Sequence, residues 1–423
     1  LKASMKLIGP EPRDFRLYLL GNLFAINALW MQRVTIGWIA WDLTKSATFV
    51  GFVAFINFAP AIITGPLFGV LIDRVNVKKA AQVTQFSLFT ISVGFYLFFL
   101  FGGLNELFLS VLSLLSGIAT SAHNPVRLSL APRLVNHGSV SSVVSVVAIN
   151  FNLARLTGPA IAGWLIAVWG LQITLLVQSL LYLPFILMLN LLHPRDQVPL
   201  KAGKEPFGAA LRSGVKHTLS NSLMRHALLI TSLYAFLIRG TLEILPVIAD
   251  GIFAKGAAGL GILTSIAGFG AVVAGITKVF TQSQKAGEIP KFVIASALLG
   301  VALIPLVGLS NTWELTVGYI CYLGFAGTLS GISIQTALQM DLPDNFRGRV
   351  MSLWTVVNVG ATATGAMILG GLADYIGIPT AFCFAGGLGT VLLLTTLLKI
   401  GFRNKGDKLS KLCDKTRTVF FVI

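Results

Sequence analysis

The sequence predicts an all-α polytopic membrane protein: twelve transmembrane helices in two pseudo-symmetric six-helix bundles. Three observations carry this. Of 423 residues, 55% are hydrophobic and only 11% charged, whereas soluble domains run near half apolar and about a quarter charged. Apolar runs recur at the length of a membrane span, about 20 residues each. Finally, the basic residues collect in alternate loops.

The runs place helices at 15–41, 47–72, 79–101, 107–130, 141–167 and 171–192. After a polar gap they continue at 225–249, 257–279, 290–309, 312–338, 347–373 and 378–401. The first run, from Phe15, is too long for a signal-peptide core and reads as a span. The gap from His193 to Ser222 is rich in Pro, Lys and Gly. It divides the chain into a first bundle (1–193), a cytoplasmic linker (194–223), a second bundle (224–402) and a cytoplasmic tail (403–423). Within the linker, 206–219 has the pattern of an amphipathic surface helix. The halves look related: the stretch from Arg127 to Gly170 resembles that from Gln335 to Gly377, and Arg33 and Arg239 fall at nearly the same spacing. Transporters often build a midplane site from such repeats.

A net charge of +16 could indicate nucleic acid, but its distribution argues against that partner. Basic residues occupy the N-terminus, the 73–79 loop, the region of Arg127 and Arg133, the central loop, Lys278 to Lys291, Arg347 and Arg349, and the tail. The intervening loops hold only Lys45 and Lys255. By the positive-inside rule both termini are cytoplasmic. Three cysteines give no disulfide framework: Cys321 and Cys383 read as packing residues, and Cys413 lies in the tail.

No metal motif, phosphate-binding loop or nucleophile elbow is present, so no cofactor and no enzyme activity are expected. A lipid-processing enzyme would need a reactive cluster at the membrane surface, and none is visible. Without a phosphate-binding loop an ion gradient is the remaining driver, with protons the expected partner. A transporter-like receptor that senses without moving its ligand stays open.

Ionisable groups inside hydrocarbon are costly and usually face a cavity or a partner. Four fall inside the expected spans: Arg33, Arg155, Arg239 and Glu243. Arg239 and Glu243 are spaced i, i+4, within reach of each other on one helical face. They read either as a self-neutralising pair or as part of a proton-coupling site with Arg33. Three arginines against one acid favour anionic cargo. Asn27, Gln32, Asn57, Asn152, Arg155 and Asn358 are candidate cavity residues, and Asn22, Asn150 and Gln335 share their chemistry; each polar side chain equally suits a bridge between helices. His123, inside the fourth span, reads as a hydrogen-bonded packing residue or a proton carrier.

Between the second and third runs lie Gly69, Asp73, Arg74, Asn76, Lys78 and Lys79. This loop resembles the signature of the major facilitator superfamily, with Asn76 where the family usually has glycine; asparagine tolerates a left-handed backbone best among ordinary residues. Trp30-Met-Gln-Arg33 through Thr44, Asn124-Pro125-Val-Arg127, Asn152-Leu-Ala-Arg155 through Pro159, and Arg239 through Pro246 resemble one bacterial branch, that of the enterobactin exporters and macrolide-efflux proteins. The likeness covers 12–402. It implies export of a small amphipathic, siderophore-like molecule across a bacterial inner membrane by a monomer, with multidrug or macrolide antiport as the alternative. It also implies a conformational latch of Gly69, Asp73, Arg74, Lys78, Lys79 and Arg127, in which Asp73 meets the start of the eleventh helix. Gly158-Pro159 to Gly163 resembles an exporter helix motif and equally suits close packing.

Overall fold

The computed structural model describes residues 13–72, 75–135, 140–195, 215–216, 218–281, 289–342 and 344–397. Among them the chain is helical, with no strand. In chain order the helices are α1 (Arg13–Thr44), α2 (Ala47–Ile72), α3 (Val77–Leu100) and α4 (Glu106–Leu130). One continuous stretch, Val140–Leu180, is broken at Gly170 (φ 78°). We label its first part α5 (140–169), and its second part with Leu183–Leu191 α6 (171–191). A composite helix, α7 (222–252), follows, then α8 (Gly256–Phe280), α9 (Lys291–Leu309), α10 (Trp313–Asp341), α11 (Asp344–Ile376) and α12 (Ile378–Leu397).

Nine helical stretches among the described residues are long and apolar enough to cross a membrane. Three features separate this number from the sequence expectation. The stretch Val146–Leu191 has 46 residues, about 69 Å of helix at 1.5 Å per residue, far more than one crossing of ~30 Å. Its turn is Gly170, where the positive φ suits a residue without a Cβ. Helix α1 carries Asn22, Asn27, Gln32 and Arg33 and so is less apolar. Helix α7 is assembled from short pieces.

Helix starts follow local chemistry. Asn76, Asn105 and Asn221 cap α3, α4 and α7, their side-chain oxygens accepting from Lys79, Phe108 and Met224 N–H. The tolerance of asparagine for a left-handed backbone is not used at Asn76: its φ is −64° and its ψ 115°, the extended conformation of an N-cap.

Helices α1 and α5 pack together, as do α2 with α4, α3 with α4, and α8 and α9 with α10. The most extensive packing between helices that precede the central linker and helices that follow it is that of α2 with α11 and of α5 with α8. Small residues make these contacts possible. Gly51 faces the backbone of Ala366, Gly370 faces that of Ala47, and Gly163 faces Gly261, with no room for a Cβ at any of them. Backbones this close gain packing that lipid cannot supply.

Candidate functional site

Between these helix pairs lies a cavity of about 250 Å³, lined from α1, α2, α5, α7, α8, α10 and α11. Its chemistry depends on how α7 is wound. Ala235–Arg239 forms a π turn, Gly240–Glu243 a single α turn, and Val247–Ile252 a second π turn. Pro246 cannot donate to the helix ladder, so the run is interrupted beside the cavity. π turns recur at functional sites, and discontinuous helices line the midplane sites of transporters.

Glu243 reaches across to α1. Arg33 Nη2 stands 2.5 Å from its Oε1 and Nε 3.3 Å from its Oε2, a two-point pair. Glu243 is 15% exposed and Arg33 35%. The Arg33 guanidinium also lies over the rings of Phe58 (4.5 Å) and Trp30 (5.1 Å). Arg155, on α5, lies 5.6 Å from the same Trp30 ring, and its Nη1 is 3.5 Å from Thr328 Oγ1. Arg239 extends to Asn358 Oδ1 (3.5 Å), while Asn358 Nδ2 donates to the Tyr234 hydroxyl (2.6 Å). Three guanidiniums therefore face one carboxylate around one cavity, and the aromatic faces of Trp30 and Phe58 allow like charges to share it.

This corrects the expected pairing within α7. Among the described residues Arg239 and Glu243 form no ion pair; the intervening helix is not regular, and each side chain has a partner on another helix.

Of the expected cavity residues, Arg155 and Asn358 line the space. The others sit elsewhere, and all but Asn152 bind helices together. Asn27 donates to Leu23 O and accepts from Thr157 on α5. Gln32 donates to Ser116 and accepts from Tyr182, deep among α1, α4 and α6. Asn57 donates to Ser113 O on α4, and Asn152 to Ala148 O of its own helix. The aromatic wall of Trp30, Phe58 and Phe151 was missed, because aromatic residues facing cargo, lipid or core look alike in sequence. The one available signal was the i, i+3 spacing of Trp30 and Arg33.

Of the expected latch, Asp73 and Arg74 lie outside the described residues, and Gly69 is described only as part of α2. Lys78 Nζ donates to Asn190 O (2.9 Å) and Leu192 O (2.7 Å), carbonyls at the end of α6, where a cation is favoured. Lys79 sits in the first turn of α3. Arg127 is buried with its guanidinium 4.7 Å from the Phe151 ring. His123 is also buried, and its Nδ1 has no hydrogen-bond partner among the described residues. The proposed linker helix falls largely outside the described residues.

A family model described as "transmembrane secretion effector" matches residues 11–413. The chain belongs to this family of the major facilitator superfamily. Among its relatives, the staphyloferrin A transporter of Staphylococcus aureus is 25% identical over 88% of this chain and 90% of its own. The enterobactin exporter EntS of Shigella boydii is 25% identical over 94% of each. Solved structures share the fold: the nucleoside transporter NupG has a TM-score of 0.73 at 15% identity, covering 91% of this chain and 98% of its own. A POT family transporter in complex with 5-aminolevulinic acid has a TM-score of 0.69 at 16% identity, covering 92% and 96%. As a member of this superfamily the protein is a multi-pass membrane transporter of small molecules, and not an enzyme.

Proposed function

We propose that the protein is a proton-driven exporter of a small anionic, siderophore-like molecule. The observation that supports it best is the Arg33–Glu243 pair spanning a cavity that holds two further arginines. An anionic oxygen of the cargo competes with Glu243 for Arg33. Once displaced, the carboxylate has lost its partner in a poorly hydrated site and takes up a proton. Cargo and proton thus exchange places on one arrangement of charges, as antiport requires. Trp30, Phe58 and Phe151 suit the apolar or aromatic portion of such a cargo, and the names of the two relatives agree with a siderophore.

The proposal includes twelve spans in two bundles, 1–193 and 224–402, joined by a cytoplasmic linker (194–223) and followed by a cytoplasmic tail (403–423). It places both termini on the cytoplasmic side of a bacterial inner membrane and the monomer as the working unit. Asp73 serves as a cytoplasmic latch. Purified protein in liposomes tests the function: an imposed pH difference should drive accumulation of carboxylate or catecholate siderophores. Medium from cells with and without the gene, iron-starved and iron-replete, should differ in an iron-chelating metabolite. Accumulation of cationic macrolides alone would refute the anionic reading in favour of drug efflux.

A further inference from the structure

Three carboxylates outside the cavity, Asp42, Asp250 and Asp374, stand at the end of the molecule that carries the α1–α2 and α7–α8 turns, Asp42 paired with Lys45 at 3.0 Å. Asp374, in the last turn of α11, accepts from Ser46 Oγ (2.6 Å), Ala47 N–H (2.9 Å) and Thr48 N–H (2.8 Å). Those two N–H groups open α2, and the next, of Phe49, is bound by Ser46 Oγ (3.2 Å). The first N–H groups of a helix have no partner within it and carry partial positive charge. Asp374 thus completes a helix start 326 to 328 residues away in sequence. Nearby, Asp250 at the end of α7 accepts from Trp41 Nε1 (2.7 Å) and stands 3.5 Å from Lys45 Nζ.

Local capping does not require Asp374, since Ser46 already supplies an ordinary cap. The carboxylate adds a contact that exists only while α2 and α11 touch backbone to backbone at Gly51–Ala366 and Ala47–Gly370. All three bonds run to one short side chain, so separating these helix ends by a few ångströms breaks them together.

We propose that Asp374 is a conformational latch that holds this end of the transporter closed and must release α2 for the end to open. The proposal rests on the transport function proposed above, though not on the identity of cargo or coupling ion. It is tested on full-length protein in lipid nanodiscs without cargo or gradient. Cysteines 321, 383 and 413 are replaced by Ala, and spin labels are placed at Leu43→Cys and Tyr375→Cys. Distance distributions give the ratio of open to closed ends. Asp374→Asn should raise that ratio roughly fivefold or more, the scale expected for losing charge-assisted hydrogen bonds. Thr48→Pro removes one N–H donor at a position in the first helical turn where proline is tolerated, leaves Asp374 intact, and should shift the ratio the same way. An unchanged ratio in both variants, or a shift towards closure, overturns the proposal. So does a lowered melting temperature with the ratio unmoved, which would mark Asp374 as a stabiliser of α2 alone. Because the readout needs no substrate, a failed siderophore assay leaves it interpretable.

Discussion

Replacing Glu243 by Gln removes the carboxylate that holds Arg33 while keeping the side chain's shape. Exposed ion pairs contribute about 0–1 kcal/mol, and breaking a fully buried one costs about 3–5 kcal/mol. With Glu243 15% and Arg33 35% exposed, the pair falls between, at about 1–3 kcal/mol. In the wild type an anionic cargo must displace that carboxylate. In Glu243→Gln it need not, so its affinity at neutral pH should rise about 5- to 150-fold, at 1.4 kcal/mol per factor of ten. Titration calorimetry with a carboxylate siderophore measures the affinity of both proteins. In liposomes Glu243→Gln should exchange labelled for unlabelled cargo yet fail to concentrate it under a pH difference. Concentration against a gradient by a well-folded Glu243→Gln, or weaker binding by it, would refute the competition.

Arg155→Ala and Arg239→Ala should each weaken anionic cargo by about 1.5–3 kcal/mol, the range for hydrogen bonds to charged groups, and leave a neutral analogue nearly unaffected in the same calorimetry. Gly163→Val places a side chain against Gly261 and should slow cargo flux severalfold or lower the melting temperature. Asp73→Asn should slow flux while leaving cargo affinity within about twofold, since roughly 0.3–1 kcal/mol of helix-terminus attraction is enough to bias a balanced equilibrium. Cysteines at Ser213 and Ser410 should resist impermeant thiol reagents in intact cells and react in inverted vesicles. Labelling from outside would overturn the proposed orientation.

The helical fold was legible because a bilayer leaves few options: backbone groups in hydrocarbon must be satisfied within the helix, so long apolar runs declare themselves. The charged part of the site was legible for the same reason, since Arg33, Arg155, Arg239 and Glu243 stand out against an apolar background, and all four line the cavity. Their pairing was hidden. An i, i+4 rule assumes a regular helix, and α7 is π-wound on either side of Glu243. Uncharged polar residues misled, because Asn27, Gln32 and Asn57 meet their hydrogen-bonding needs at helix contacts, and sequence does not separate that use from lining a cavity. Asp374 went unnoticed for a simpler reason: a carboxylate at a helix end looks like surface until the opposing helix start is seen.

The 210-residue separation of Arg33 and Glu243 also bears on how the chain is made. At about 5–20 residues per second, synthesis leaves α1 waiting about 10–40 s before its counter-charge emerges. An arginine at the centre of an inserting helix costs about 2.5–3.5 kcal/mol on translocon scales. Two of its contacts arrive much sooner: Trp30 is on the same turn of α1, and Phe58 is on the next helix, 5.1 and 4.5 Å from the guanidinium in the finished protein. The aromatic faces that line the mature cavity are thus also the earliest shelter for its charge, and losing both should show first as poor insertion of the nascent chain, before any defect in transport.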